Sequence, residues 1–175
     1  MAGQRHRACC QNTLNLMEIL MTQPSPTRLG QGFYWQDISV GQQFDTFRRT
    51  ITETDLVNFI SCTGMLEAIF IEEGFEGGAI QGRPVPGALT YTLIEGFILQ
   101  TMIQGTGLAM LELTQKILAP VVVDDTIHAK IEVTGLRPTS TKNRAIVTSD
   151  IRVFNQRDAL VMTYTATRLL AGRPQ

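Results

Sequence analysis

The sequence predicts an α+β fold: an antiparallel β-sheet wrapped around one long central helix. Three observations predict it. Pro86 to Ile103 is apolar almost throughout, with Glu95 as its only charge. A helix apolar on nearly every side must be covered by protein on most of them. Beyond Gly107 the chain becomes a series of segments with apolar residues at alternate positions, the period of strands with one covered face. Finally, the 175 residues are 43% hydrophobic and only 18% charged, against about 25% charged in an ordinary globular domain. That composition excludes a disordered chain, which needs low hydrophobicity and high net charge. Fifteen basic and sixteen acidic residues leave a net charge of −1. No overall electrostatic attraction to nucleic acid or to an anionic membrane follows from that balance. A small chain with so few charges has apolar surface to hide, which points to a homodimer or a higher oligomer.

Residues 1–32 read as a poorly ordered leader and linker, punctuated by Pro24-Ser-Pro26 and Gly30-Gln-Gly32. Its apolar stretch, Leu14 to Met21, is interrupted by Asn15 and Glu18, so it is not read as a signal peptide. No apolar run reaches the roughly 18 residues of a membrane-spanning helix; the longest candidate, Leu93 to Ile103, is interrupted by Glu95, Gly96 and Gln100. Residues 33–172 form a single domain. Thr46 to Ile51 is expected as a strand with Phe47, Arg49 and Ile51 on one face. Thr52 is a good helix cap, and Glu53 and Asp55 meet the positive end of the helix dipole. Leu56, Val57, Phe59 and Ile60 then carry helical spacing, with Gly64 as the stop. Glu67 to Glu73 reads as a second short helix, and Gly74 to Pro86 as a loop.

The long helix opens on Pro86, a residue suited to a first helical turn. Leu108–Leu118 is the next strand. In Thr126–Val133, Ile127, Ala129, Ile131 and Val133 alternate with His128, Lys130 and Glu132, so His128 is expected on the exposed face. Leu136–Asn143 is a turn. Ala145–Phe154 and Ala159–Leu170 form a hairpin across Asn155-Gln-Arg-Asp158. One sheet wrapped around a central helix is the hot-dog arrangement.

The cysteines are Cys9, Cys10 and Cys62. Their odd number and irregular spacing fit neither a disulfide framework nor a metal motif, and point to a reducing, cytoplasmic setting. Cys62 reads as core packing. His6 and His128 are the only histidines, so no metal site is expected. Gly77-Gly78 and Gly105-Thr-Gly107 lack the spacing of a phosphate loop.

Four stretches resemble the MaoC-like dehydratases, a family that includes the (R)-specific enoyl-CoA hydratases. They are Phe59-Ile-Ser-Cys-Thr-Gly64, Gly82-Arg-Pro-Val-Pro-Gly-Ala-Leu-Thr90, Ala119-Pro-Val-Val-Val-Asp-Asp-Thr126 and Val153-Phe-Asn-Gln156. The resemblance implies a hot-dog fold, usually dimeric, acting on acyl thioesters of coenzyme A or of an acyl carrier protein. The thioester is then substrate, and no cofactor is implied. The family's water-activating Asp and His lie in the pattern Thr-Gly-Asp-x-Asn-Pro-x-His. Here that pattern reads Thr63-Gly-Met-Leu-Glu-Ala-Ile-Phe70, with Met65 at the Asp position, Glu67 at the Asn position and Phe70 at the His position. Neither Met nor Phe can move a proton.

The candidate site residues follow from that departure. Backbone N–H groups at Gly87 and Ala88, at the start of the long helix, would polarise the thioester carbonyl as the resemblance implies. Glu67 is a replacement general base or acid if an apolar pocket raises its pKa; otherwise it is a solvent-facing residue. Glu95 is a packing residue, a ligand contact or a catalytic carboxylate. Met65, Phe70 and Tyr91, with Phe75 and Met102, would line an acyl pocket or pack in the core. Arg83, Lys142, Arg144 and Arg152 are candidates for coenzyme A phosphates. Three functions remain open: a hydratase/dehydratase-type hydro-lyase with a non-standard site, a non-catalytic acyl-CoA-binding subunit of a hydratase complex, and a thioesterase using Glu95.

Overall fold

A computed structural model describes residues 28–174 apart from 73, 76 and 77. The leader's apolar stretch, His6, Cys9, Cys10 and Glu73 lie outside the described residues. Among the described residues, a short 3-10 helix at Trp35–Asp37 is followed by six strands and three α-helices in the order β1 (Gln43–Asp45), β2 (Arg49–Thr50), α1 (Glu53–Thr63), α2 (Ala68–Ile71), α3 (Gly87–Gln100), β3 (Gly107–Ile117), β4 (Thr126–Pro138), β5 (Arg144–Phe154) and β6 (Leu160–Ala171). The sheet is antiparallel in the order β1-β4-β5-β6-β3, with β2 also paired to β4. No helix among the described residues is long and apolar enough to cross a membrane.

The caps behave as their chemistry requires. Thr52 Oγ1 accepts the Asp55 N–H at 3.2 Å, and Asp55 Oδ2 accepts the Thr52 N–H at 2.9 Å. This reciprocal box satisfies two otherwise orphaned donors of α1. Gly64 ends α1 at φ +72°, a left-handed conformation that glycine adopts without strain. α2 is shorter than Glu67–Glu73. Glu67 is its cap residue, without a capping hydrogen bond from its side chain.

The alternation in β4, β5 and β6 sends Ile127, Ala129, Ile131, Val133, Val147, Ile151, Val153, Val161 and Tyr164 into one core with Leu89, Ile94 and Ile98 of α3. Each large side chain buried there contributes roughly 1.5–3 kcal/mol. α3 is not covered all round, as its composition suggests it should be. Leu99 is half exposed and Leu93 only partly buried, because one sheet reaches only part of the helix circumference. β4 runs on to Pro138, into the expected turn, because Leu136–Pro138 keep pairing with Ala145–Val147 past an irregularity at Gly135.

Thr46–Ile51 is not one strand. Asp45 pairs with Lys130 and Arg49 with Ile127, so residues 46–48 stand opposite only His128 and Ala129. The chain bulges there, as an extra residue on one strand requires. Thr46 Oγ1 accepts the Ala129 N–H at 2.8 Å, and Phe47 is thrown outward, 81% exposed.

Two further expectations are corrected. Cys62 is exposed rather than part of the core; it falls on the outer side of α1, whose buried residues are Leu56 and Ile60. His128 is buried, at 8% exposure, although its strand position faces away from the core. Its ring stacks on Phe154, with centroids 5.6 Å apart, and its Nε2 lies 3.8 Å from Asp158 of the β5–β6 turn. Its Nδ1 has no partner.

Burial, then the Arg48 cation, hold the His128 imidazole below its ordinary pKa, with Lys130 adding to this and Asp158 and Asp45 opposing it. The unfolded chain therefore binds a proton near the ordinary value while the folded chain still resists it. Stability is expected to be full above about pH 6.5 and to fall as the pH drops through the folded pKa. Urea unfolding at about pH 7.5 and about pH 5 tests this. The wild-type protein should lose more stability over that interval than His128→Gln, and equal losses would remove His128 as the cause.

Candidate functional site

The chain around the start of α3 is held by two short backbone pairings. Val85 N–H donates to Val121 O at 2.8 Å and Val123 N–H to Arg83 O at 3.0 Å. Leu118 and Ala119 N–H both donate to Val161 O. Together these pairings bring Pro86-Gly87, Ile117–Val121 and Val161-Met162 to one place. Ile69 and Phe70, of α2, close over it. The cavity there is about 180 Å³ and partly open, lined by Ile69, Phe70, Ile80, Pro84–Gly87, Thr90, Ile117, Ala119–Val121, Val161 and Met162.

Its chemistry is simple. None of these lining residues has an ionisable side chain. Gly87 and Ala88 lead a fourteen-residue helix, where N–H groups have no carbonyl one turn back and the helix dipole favours negative charge. Leu89 and Thr90 N–H already donate to Pro86 O, at 2.9 and 3.3 Å. Gly87 borders the cavity. A Cβ added there would lie 2.3 Å from Ile117 Cδ1, so any side chain at position 87 would have to displace Ile117, which also lines the cavity. Thr90, the polar residue of the lining, is 1% exposed, and its buried Oγ1 has no hydrogen-bond partner among the described residues.

Of the residues expected to line an acyl pocket, Phe70 alone borders the cavity. Met65 is exposed on the connection between α1 and α2. Tyr91 packs edge-on against Tyr164, at 5.2 Å, on another side of α3. Met102 lies in the core at the far end of the helix, beside a second apolar cavity that also meets Phe33, Phe44 and Phe97. Phe75 borders an outer cleft with Arg83. Ala88 is half-buried and not in the lining.

Neither candidate carboxylate reaches the cavity wall. Glu67 is exposed, one residue outside α2, and is not in the lining. Glu95 is buried on α3, where its Oε1 accepts from Arg168 Nη2 at 2.6 Å and from the Tyr164 hydroxyl at 2.8 Å. Burial, and then Glu95 beside it, push the Tyr164 phenol far above its ordinary pKa, so it stays a donor. Tyr91 is shifted the same way by the same two causes, in the same order. A carboxylate held by a cation and a phenol, away from the cavity, is arranged as a structural group.

The cation candidates separate in the same way. Arg83 is committed: it pairs with Glu53 and donates to Phe70 O at 3.0 Å, which ties α2 down over the cavity. Arg152 lies 4.0 Å from Glu132 on the exposed sheet face. Lys142 and Arg144 share a surface cleft with Arg173, at the β4–β5 turn. Asp125, inside the stretch Ala119–Thr126, is a buried staple. It accepts Val122 N–H at 3.0 Å and Gln156 Nε2 at 2.6 Å, joining this stretch to the Val153–Gln156 turn.

Sequence reasoning missed Thr90 and Arg168. Arg168 shares the inward parity of Tyr164, Ala166 and Leu170, which was the available signal for a buried partner of Glu95. Thr90 stands one turn after Gly87 in an otherwise apolar run, a weaker signal.

No family model matches the chain, and no curated protein matches it. Solved structures do. The chain is similar to a protein from Archaeoglobus described as a monoamine oxidase regulatory protein, at 27% identity and TM-score 0.72 over 82% of this chain and 97% of that one. It is similar to an R-hydratase from Pseudomonas aeruginosa, at 25% identity and TM-score 0.68 over 82% and 88%. It is also similar to a MaoC-like dehydratase from Rhodospirillum rubrum, at 21% identity and TM-score 0.73 over 82% and 100%. A Mycobacterium tuberculosis protein with a double hot-dog fold matches at 21% identity and TM-score 0.76, over 85% of this chain and 47% of that one. The six-stranded antiparallel sheet packed on α3 is therefore a hot-dog fold, and its structural neighbours include MaoC-like dehydratases and R-hydratases.

Proposed function

We propose that this chain is a MaoC-like hot-dog protein that binds an acyl thioester, of coenzyme A or of an acyl carrier protein, at the start of α3. The thioester oxygen sits on the backbone N–H groups of Gly87 and Ala88, and the acyl group enters the apolar cavity. One observation carries this reading: an apolar cavity borders the N-terminal turn of a buried helix at Gly87, whose bare Cα packs directly against the Ile117 side chain. Helix-start donors complement a polarised carbonyl oxygen, and apolar walls complement an acyl chain.

Binding is favoured over hydration chemistry by the composition of the lining. Hydration adds a hydroxyl at C3 and a proton at C2 of an enoyl thioester, and needs groups that hold and move protons. Met65 and Phe70 cannot, and Glu67 and Glu95 stand outside the lining. The second reading is hydratase/dehydratase-type turnover, with Glu67 as the base. Its support is the likeness to an R-hydratase and a MaoC-like dehydratase. Calorimetric titration with a saturated acyl-CoA tests the first reading, and loss of enoyl absorbance with a trans-2-enoyl-CoA tests the second. Saturable binding without turnover is the expected result. Turnover that Glu67→Ala abolishes would establish the second reading instead, and absence of binding would sink the first.

The working unit is a homodimer in a cytoplasmic setting. β3 is the sheet edge, and its Leu108, Met110, Leu111, Leu113 and Ile117 are exposed. A long apolar edge strand left free is an aggregation hazard, and pairing with a second copy removes it. Leu113→Lys is expected to shift the protein from dimer to monomer in sedimentation velocity. A wild-type protein that sediments as a monomer overturns this assignment.

A further inference from the structure

We propose that α2 is a gate over the cavity and that Arg83 is the positioning residue that latches it, so that a ligand enters when the Arg83–Phe70 contact is released. This rests on the reading of the cavity as an acyl-thioester site and adds how that site is opened.

The cavity is small as it stands. Its volume of about 180 Å³ lies below the roughly 300 Å³ at which pockets begin to bury a whole ligand. An acyl chain of more than a few carbons therefore needs a wall to move. Most walls are fixed. Gly87 and Thr90 belong to α3, which is buried at Leu89, Ile94 and Ile98. Ile117 and Met162 are paired across β3 and β6, and Val85 is bonded to Val121 through the backbone. The wall made by Ile69 and Phe70 is held differently. Within residues 64–72, Leu66 N–H donates to Gly64 O, Phe70 and Ile71 N–H to Glu67 O, and Glu72 N–H to Ala68 O. Beyond these local bonds, the hydrogen bonds that join residues 65–72 to the rest of the described residues all come from Arg83.

Arg83 Nε and Nη2 both donate to Phe70 O, at 3.3 and 3.0 Å, and Nη1 pairs with Glu53 in the first turn of α1. The Arg83 and Glu53 side chains are 31% and 48% exposed, so water competes for the latch. The apolar residues of the segment give it little further hold. Met65, Leu66 and Ile71 are exposed, and Ile69 and Phe70 face the cavity. Few buried apolar contacts and exposed ties place a segment at the low end of local stability. A helix of four residues does not hold itself together in water once released. On its outer side lies a second cleft, bordered by Glu53, Glu72, Phe75 and Arg83. Ile69, Ile80 and Pro84 border both spaces. Ile69 is thus part of the partition between them, and displacement of α2 joins the two into one path from solvent.

Hydrogen exchange of the full chain, read by mass spectrometry without ligand, tests the latch. Arg83→Met keeps an apolar stem and removes the donors. The amides of residues 70–72 are expected to exchange about tenfold faster in it, the effect of losing a hydrogen bond from a charged group, while α1 and α3 keep wild-type rates. Arg83→Lys, which retains the charge and a donor, should fall between the two. Unchanged exchange in α2, or an equal rise in α1 and α3, overturns the latch. Surface plasmon resonance with a saturated acyl-CoA tests the gate. Association and dissociation should both quicken about tenfold in Arg83→Met with Kd within about threefold of wild type, because a released gate changes the path and not the site. A Kd weakened through dissociation alone would make Arg83 a ligand contact and overturn the gate. Unchanged rates in a variant whose α2 exchanges faster overturn the gate and leave the acyl-thioester reading intact. Failure of the wild-type protein to bind acyl-CoA overturns both that reading and the gate.

Discussion

Arg168→Ala is expected to destabilise the folded protein by about 3–5 kcal/mol, the usual effect of removing one partner from a buried ion pair. The Arg168 and Glu95 side chains are only 7% and 9% exposed and their atoms approach to 2.6 Å. Without the guanidinium, Glu95 keeps only the Tyr164 hydroxyl, and its charge stays in the core. Replacing both residues with apolar ones, Glu95→Leu with Arg168→Met, should be far milder than the single change, because no buried charge is then left over. Urea unfolding of Glu95→Leu, Arg168→Met and their combination measures the coupling. A loss below about 1 kcal/mol in Arg168→Ala would mean that water or local rearrangement compensates Glu95. A separate variant, Glu95→Gln, addresses the thioesterase alternative. Release of free thiol from acyl-CoA that Glu95→Gln abolishes, with stability kept, would restore Glu95 as a catalytic candidate.

Gly87→Ala is expected to weaken acyl-CoA binding about tenfold, or 1.4 kcal/mol, while global stability changes by less than about 1 kcal/mol. The added methyl collides with Ile117 Cδ1, the free end of a side chain that can swing aside. The fold therefore tolerates the change. The displaced methyl must find room, and the cavity that both residues line is the nearest space. Ile117→Val removes that terminal methyl. Combined with Gly87→Ala it should recover most of the lost affinity, which a general folding defect would not do. Calorimetric titration gives the affinities and urea unfolding the stabilities. An unchanged affinity in Gly87→Ala would place the thioester elsewhere.

The elements that were legible in the sequence are those set by local chemistry. Thr52 with Asp55, and Gly64 at the other end, delimit α1 through hydrogen bonds and a left-handed backbone that are local to each helix end. Alternation in Thr126–Val133 and Ala145–Phe154 is imposed by the two-residue period of a strand, so the inward set was readable without neighbours. That Met65 and Phe70 can transfer no proton was equally plain, since no fold gives a thioether or a phenyl ring one. His128, Phe47 and Cys62 failed for one shared reason: what covers a residue's outer side comes from another part of the chain. The β5–β6 turn and Phe154 cover His128, while nothing covers Phe47, pushed out by an extra residue between β1 and β2.

The candidate site divides along the same line. From residue types alone the chain determined its hot-dog architecture, the opening of the central helix at Pro86-Gly87 and the absence of a transferable proton at Met65 and Phe70. Those depend on period, backbone geometry and side-chain chemistry. Only the tertiary structure decided that Glu95 belongs to Arg168 and Tyr164, that Glu67 stands outside the cavity, and that Phe70 closes over it. Each is a question of which group lies within reach. Residues 69 to 91 positions apart in the chain settle two of these, Tyr164 against Glu95 and Val161 beside the wall that Phe70 closes. Such proximity arises when strands pair and a helix is laid across them, and no local pattern encodes it.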